Sequence, residues 1–187
     1  MKKQQLDHVL RAAGAITGAE QFIIIGSQAL HGKYPDLPDE IVRSVEVDLV
    51  AKDEQERTEW LKAIGVDSPF HEQFGYYADP ADEATAVLPK GWKGRLVNLP
   101  PGDTGAVRGL CLDPHDLAIS KYVARREKDI DFTRALARRG LVDKPKLLAL
   151  LGATPVSAET RARIRRNIEA DFAPPAPASP PRPGPEG

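Results

Sequence analysis

Two acidic side chains two residues apart are the part of the chain best suited to chemistry. Glu46 and Asp48 stand in a mostly apolar segment, residues 42–51, and in a strand they would project from the same face, because alternate residues do. Paired carboxylates raise each other's pKa unless a basic group or a hard divalent cation neutralises them. Upstream, Gly26-Ser27 follows an apolar run and offers backbone N–H groups, without bulk, where a phosphate could approach. Together these residues predict a metal–nucleotide site.

The surrounding patterns predict the elements that position these residues. Apolar residues at helical spacing predict an amphipathic helix over residues 4–17, ended by Gly18. Strands are expected over 21–25 and 42–51, with a helix starting at Gln28 whose N-terminus faces the Gly-Ser turn. A further helix, capped by Asp53, is expected over 53–64. Short strands are expected near 74–77, at 86–88 and at 95–99.

The second half of the chain is predicted to be helical. Asp113 has the type and position of an N-cap for a helix beginning at Pro114. Further helices are expected from about residue 128 to Gly140, over 144–151 and over 158–170. Strands followed by helices indicate an α+β fold: a mixed β-sheet flanked by helices, with a helical C-terminal part. We therefore divide the chain into an α+β core (1–110), a helical part packed on it (111–172) and a disordered proline-rich tail (173–187).

Composition narrows the class of protein. The chain has 187 residues, a formal net charge of -1 and one cysteine. A near-neutral chain has no global attraction to nucleic acid or membrane, so polyanions would need local basic clusters such as the arginines of 125–139 and 161–166. A single cysteine, Cys111, excludes an internal disulfide framework. Without a signal-peptide core, or an apolar run near the ~18 residues of a membrane span, we expect a cytoplasmic protein with no membrane association.

The order and spacing of the first motif resemble those of the nucleotidyltransferase superfamily, which includes DNA polymerase beta. In that family an apolar strand ends in Gly-Gly or Gly-Ser, a helix follows, and the next strand carries acid-apolar-acid. Here the matching residues are Gly26-Ser27 and Glu46-Val47-Asp48. Arg43-Ser44 before the acids resembles the Arg-x-Thr-x-Asp-x-Asp element of the AbiEii-type branch, toxins of abortive-infection toxin–antitoxin pairs. It also resembles that of a related family of uncharacterised bacterial nucleotidyltransferase-like proteins.

A second motif, residues 116–132, resembles the second signature of the same branch. The resemblance implies that Lys121 touches the triphosphate and that Asp129 completes the active site as metal ligand or general base. Glu46 and Asp48 would then hold Mg²⁺, while Gly26, Ser27, Arg43 and Ser44 would line the nucleotide site. These roles suit nucleotidyl transfer, whose charged transition state is stabilised by carboxylate-bound Mg²⁺.

The resemblance implies a Mg²⁺-dependent enzyme that moves an NMP from an NTP to a hydroxyl acceptor, such as tRNA or another macromolecule. An AbiEii-like toxin would also have a cognate antitoxin. One alternative is a nucleotidyltransferase-fold module that binds nucleotide or a partner without turnover. Another is a small-molecule modifier similar to aminoglycoside nucleotidyltransferases.

Two departures from the family pattern motivate the alternatives. Glu46 stands where many members have aspartate. The third carboxylate usually lies on a later strand, and the candidate strand at 95–99 offers only Asn98. Structural explanations also stay open: an exposed edge strand for the acid pair, and a solvated helical face for Lys121 and Asp129.

Overall fold

The computed structural model describes residues 1–34, 36–38 and 40–174. Most of the predicted tail over 173–187 lies outside the described residues. Within these ranges, five strands form one mixed sheet in the order β3-β2-β1-β5-β4. Their bounds are β1 Gln21–Ile24, β2 Glu46–Ala51, β3 Tyr77–Pro80, β4 Val97–Asn98 and β5 Arg108–Cys111.

The strand directions explain how distant segments meet. β2 runs antiparallel to β1, whereas β3 runs parallel to β2 and β5 parallel to β1. Three details of the predicted sheet were wrong. No strand forms at 86–88, the strand expected near 74–77 begins only at Tyr77, and Arg108–Cys111 was missed. Proline and aspartate are rare in strands, and glycine weakens them, so the short segments around Asp79 and Gly109 carry little strand signal.

The helices flank the sheet and make up the C-terminal part. The first helix ends at Gly18, as predicted, and this residue adopts the left-handed conformation (φ 71°). Asp113 caps the helix that begins at Pro114, as predicted, since its carboxylate accepts a hydrogen bond from the backbone N–H of His115. Asp53 is not a cap, because its φ is 64° and the helix begins after Glu54. The bounds are α1 Lys3–Thr17, α2 Pro69–Phe74, α3 Pro114–Ala124, α4 Glu127–Arg138, α5 Lys144–Gly152 and α6 Ala158–Asp171.

The helices expected at 53–64 and from Gln28 form as 3₁₀ helices, Gln55–Ile64 and Ser27–Gly32. Further 3₁₀ turns cover Glu83–Thr85 and Trp92–Arg95. Such tight turns are common as short connectors. The helix at Ser27–Gly32 packs against β5 and α3, which brings the Gly-Ser turn close to the second motif.

Buried apolar side chains from the sheet and from the C-terminal helices form one cluster. Phe22, Leu49, Leu117 and Ile164 are at most 1 % exposed, and burying each such side chain contributes roughly 1.5–3 kcal/mol. The arrangement confirms the predicted α+β class. No helix among the described residues has the length and apolar character needed to cross a membrane.

Candidate active site

The acid pair lies on one face of an interior strand. Glu46 and Asp48 are half-buried and alternate with the fully buried Val47 and Leu49 along β2. Because β2 is hydrogen-bonded to β1 on one side and to β3 on the other, the acids do not belong to an edge strand. The alternative of solvated acids on an exposed edge is therefore wrong.

Gly26 lies directly against Asp48 of the acid pair. The Ile25 N–H donates to the backbone oxygen of Asp48 at 3.1 Å, which brings the end of β1 beside β2. A Cβ atom at Gly26 would lie 1.7 Å from Asp48 Oδ2. The glycine is thus required because the Asp48 carboxylate occupies the space that a side chain would need. The sequence had suggested another reason for this glycine, namely room for a phosphate to approach; its closest neighbour in the structure is the Asp48 carboxylate.

A third carboxylate stands beside the pair, on a strand that the sequence did not reveal. In the parallel pairing of β2 with β3, Asp48 lies opposite Asp79 and Glu46 lies opposite Tyr77. Partners in register project from the same face of a sheet, so Asp79 joins the acid pair. The sequence placed the third-carboxylate position on residues 95–99, but β4 lies at the opposite edge of the sheet.

Tyr77 fixes the orientation of one of these acids. Its hydroxyl donates to Glu46 Oε2 at 3.0 Å. Burial, followed by this hydrogen bond, raises the pKa of Tyr77 to about 12, so the phenol stays a donor near neutral pH. The ring of His71 lies against Tyr77, with centroids 4.6 Å apart. Glu46 therefore keeps its other carboxylate oxygen available.

The site concentrates negative charge. Burial raises the pKa of Asp48; the charges of Glu46 and Asp79 add to this effect, while Lys121 opposes it. Burial and the charge of Glu46 also raise the pKa of Asp79. Ionised carboxylates at this position are stabilised by any cation placed between them.

The second motif places Lys121 beside this charge. Lys121, near the end of α3, has its Nζ 3.7 Å from Asp129 Oδ1. Asp129 is only 2 % exposed and accepts hydrogen bonds from Arg126 Nε at 2.8 Å and from the Arg126 backbone at 3.1 Å. Asp129 is therefore not part of a solvated helical face, and it connects the end of α3 to the start of α4.

Although burial raises the pKa of Asp129, the hydrogen bonds from Arg126 and the charge of Lys121 outweigh it and lower the pKa below the usual value. Such a carboxylate is a weak base. The geometry favours a role for Asp129 in holding Lys121 and Arg126, and its predicted role as ligand or base stays a prediction.

Arg43 and Ser44 lie at the entrance to the acid pair. Arg43 is exposed and forms no ion pair with the residues described. The Ser44 hydroxyl accepts from the Glu46 N–H at 3.3 Å, and the Ser44 carbonyl accepts from Gln28 Nε2 at 3.0 Å. Ser44 thus shapes the approach to β2, while Arg43 is available to an anionic ligand.

Two adjoining cavities meet at these residues. The larger, which we name the charged cleft, has a volume of about 660 Å³. The smaller, which we name the inner pocket, has a volume of about 200 Å³. Asp48, Lys121 and Arg126 line both. Gly26 lines the inner pocket, and the remaining sequence-predicted residues line the charged cleft: Ser27, Arg43, Ser44, Glu46 and Asp129.

The structure adds two residues to this set. Asp79 and Arg126 both line the charged cleft. Arg126 could have been included from the sequence, because it stands within the second motif. Nothing in the sequence pointed to Asp79, because its strand could not be recognised and no regular spacing relates it to Glu46 and Asp48.

A protein-family model described as "Nucleotidyltransferase of unknown function (DUF6036)" matches residues 4–172. The chain belongs to this family. Comparison with curated proteins and with solved structures gave no match. Membership in DUF6036 confirms the nucleotidyltransferase resemblance at the level of the family. The closer resemblance to the AbiEii-type branch stays a prediction.

The acid cluster of this DUF6036 member suits Mg²⁺ chemically. The ion prefers carboxylate oxygens and is usually held by one or two carboxylates together with substrate phosphates. Within the described part of the chain, no group of three His, Cys, Asp or Glu side chains is arranged as a complete metal site. Glu46 and Asp48 would hold the ion, and the remaining ligands would come from the nucleotide and from water.

Proposed function

We propose that the protein is a Mg²⁺-dependent nucleotidyltransferase that moves an NMP from an NTP to a hydroxyl acceptor. One observation carries the proposal: Glu46, Asp48 and Lys121 line the same cleft, and Gly26 makes room there for the Asp48 carboxylate. The family supports the reaction class, and the acid cluster supports the cofactor.

The reaction joins the acceptor oxygen to the α-phosphorus and breaks the bond to the leaving pyrophosphate. Mg²⁺ bound to Glu46 and Asp48 would neutralise charge that develops on the phosphate oxygens. Lys121 places a point charge near the same position and would bind the β- and γ-phosphates. Arg43, exposed at the cleft, and Ser27, whose hydroxyl has no partner among the described residues, would complete the phosphate contacts.

The acceptor must lose a proton during the transfer. Asp79 is exposed at the cleft, stands opposite Asp48, and has a raised pKa. A carboxylate in that position accepts a proton better than Asp129, whose pKa is lowered. We therefore propose that Asp79 takes the proton and that Asp129 holds Lys121 in place.

For the acceptor we propose an RNA hydroxyl, in tRNA or another macromolecule. The support is the resemblance to the AbiEii-type branch and the arginines along α4. In that case the protein acts as a toxin with a cognate antitoxin as its partner. Induced expression would arrest growth in the wild type and would not do so for Asp48→Asn.

Labelling with radioactive NTPs tests the reaction. The protein is incubated with α-labelled NTPs, Mg²⁺ and either total RNA or a panel of hydroxyl-bearing small molecules that includes aminoglycosides. We expect label in one acceptor class, lost with Asp48→Asn and retained with Asp53→Asn, a matched change at an exposed aspartate. Label that survives Asp48→Asn would contradict the proposal.

A second candidate is a module that binds nucleotide without turnover. The hydrogen bonds from Arg126 that occupy Asp129 favour it. NTP binding that does not require Mg²⁺, with no product in any acceptor class, would support this candidate. Transfer that depends on Asp48 would exclude it.

A further inference from the structure

The inner pocket differs in chemistry from the charged cleft beside it. Apolar groups form most of its wall, and it joins the cleft at Asp48, Lys121 and Arg126. A nucleotide has a charged end and a flat, weakly polar end, so it fits two such compartments placed side by side. The apolar wall comprises Ile25, Ala81, Ala86, Val87, Val123 and Ala124.

Few polar groups of the pocket are free to contact a ligand. The Ser120 hydroxyl donates to the carbonyl of Leu117 at 2.7 Å. Asp82 Oδ1 accepts from the N–H of Ala84 at 2.8 Å. Asp82 Oδ2 and the Thr85 hydroxyl have no hydrogen-bond partner among the residues described. A hydroxyl can donate or accept, whereas a carboxylate only accepts.

We propose, building on the proposed function, that the inner pocket holds the nucleoside of the bound NTP and that Asp82 selects for cytosine or adenine, whose exocyclic amino group stands where uracil and guanine carry a carbonyl oxygen. With the phosphates at Lys121, the nucleoside lies across Asp48 against the apolar wall. Asp82 accepts a hydrogen bond from the amino group of cytosine or adenine. Uracil presents a carbonyl oxygen at the equivalent position, which a carboxylate disfavours.

Filling the pocket tests the first half of the proposal. Val87→Trp places an indole at the inner pocket, and Val66→Trp makes the same change at an exposed valine that does not line it. Binding of ATP and of inorganic tripolyphosphate is measured by calorimetry with Mg²⁺ present, and thermal unfolding confirms that both variants fold. We expect Val87→Trp to weaken ATP binding about tenfold or more and to leave tripolyphosphate binding unchanged, with no effect of Val66→Trp.

Comparison of CTP with UTP tests the role of Asp82, because the two differ at the amino group and hardly in size. A hydrogen bond of ordinary net strength predicts that wild-type protein binds CTP about two- to tenfold more tightly. Asp82→Asn should remove most of that preference, since an amide can donate to uracil.

The outcomes separate this inference from the proposed function. Unchanged ATP binding by Val87→Trp would overturn the pocket assignment, and equal wild-type affinities for CTP and UTP would overturn the selection; the proposed function would survive either. Failure of both ATP and tripolyphosphate to bind the wild-type protein would refute the proposed function and this inference with it.

Discussion

Replacing Gly26 with alanine should disable the site while the fold persists. The new Cβ would lie 1.7 Å from Asp48 Oδ2, whereas ordinary contacts begin at 3.4 Å. The carboxylate oxygen must therefore move by about 1.7 Å, the difference between the two distances. Mg²⁺ requires its oxygen ligands at about 2.0–2.1 Å in near-octahedral geometry, so it cannot follow a displacement of that size.

The expected effects on activity and stability differ strongly. Misplacement of a reacting group by about 1 Å can cost a hundredfold in rate, so we expect Gly26→Ala to lower nucleotidyl transfer at least that much. The backbone at Gly26 is extended (φ -81°, ψ -165°), which alanine adopts freely. Alanine makes the unfolded chain less flexible than glycine does, which stabilises the folded protein by about 0.4–1 kcal/mol. This gain offsets the roughly 0.5–1.5 kcal/mol that a strained side-chain conformation of Asp48 would cost.

The assay combines three measurements on Gly26→Ala and on Gly152→Ala, whose added Cβ meets no atom within 4 Å beyond its chain neighbours and the backbone of its own helix. Label transfer and calorimetric binding of the Mg²⁺–NTP complex should both collapse in the first variant and stay at wild-type levels in the second. Urea unfolding should change by about 1 kcal/mol or less in both. If Gly26→Ala binds Mg²⁺–NTP and transfers label like the wild type, the contact between Gly26 and Asp48 has no role in catalysis.

Three further perturbations follow from the site and its supports. Tyr77→Phe removes the hydrogen bond to Glu46 and should weaken the affinity for Mg²⁺ about tenfold or more. The affinity is measured by titrating Mg²⁺ into the protein with NTP, and an unchanged titration would contradict the role of Tyr77 in positioning Glu46. Lys121→Ala should weaken binding of tripolyphosphate by calorimetry, while Lys62→Ala, at an exposed lysine, should not; equal effects would exclude a specific phosphate contact. Asp113→Asn should lower the free energy of unfolding by about 1–3 kcal/mol at pH 7. Burial raises the pKa of Asp113, but the hydrogen bonds from His115 and Lys146 outweigh burial and hold this pKa well below its usual range. A carboxyl group whose pKa is lower in the folded state than in the unfolded state, where it is about 3.9, stabilises the protein above that pH and loses this effect on acidification. The difference in the free energy of unfolding between wild type and Asp113→Asn, measured in urea, should therefore shrink toward pH 2. A difference that stays constant would refute the ionic contribution.

The sequence predicted those parts of the fold where periodicity and caps agree. The helix over 4–17 has a regular apolar face and a glycine stop, and the helix from Pro114 has an aspartate cap, so both were located closely. The apolar segments at 21–25 and 42–51 contain β1 and β2. Strand β3 was misplaced because four residues ending in Asp79-Pro80 carry no alternating apolar pattern.

The site was predictable where its residues are linked by spacing along the chain. Glu46 and Asp48 are two residues apart, and the Gly-Ser turn ends the preceding strand, so a two-residue period sufficed to place them together. Asp79 reaches the same cleft only through the parallel pairing of β2 with β3. The burial of Asp129 under Arg126 likewise depends on the junction of α3 and α4, which periodicity does not encode.

A crystal structure of the protein with Mg²⁺ and a non-hydrolysable NTP analogue tests the central claim most directly. We expect the ion bound to carboxylate oxygens of Glu46 and Asp48, with the β- and γ-phosphates in contact with Lys121 Nζ. A nucleotide bound away from the charged cleft, or a metal ion that contacts neither acid, would contradict the assignment of this site to nucleotidyl transfer.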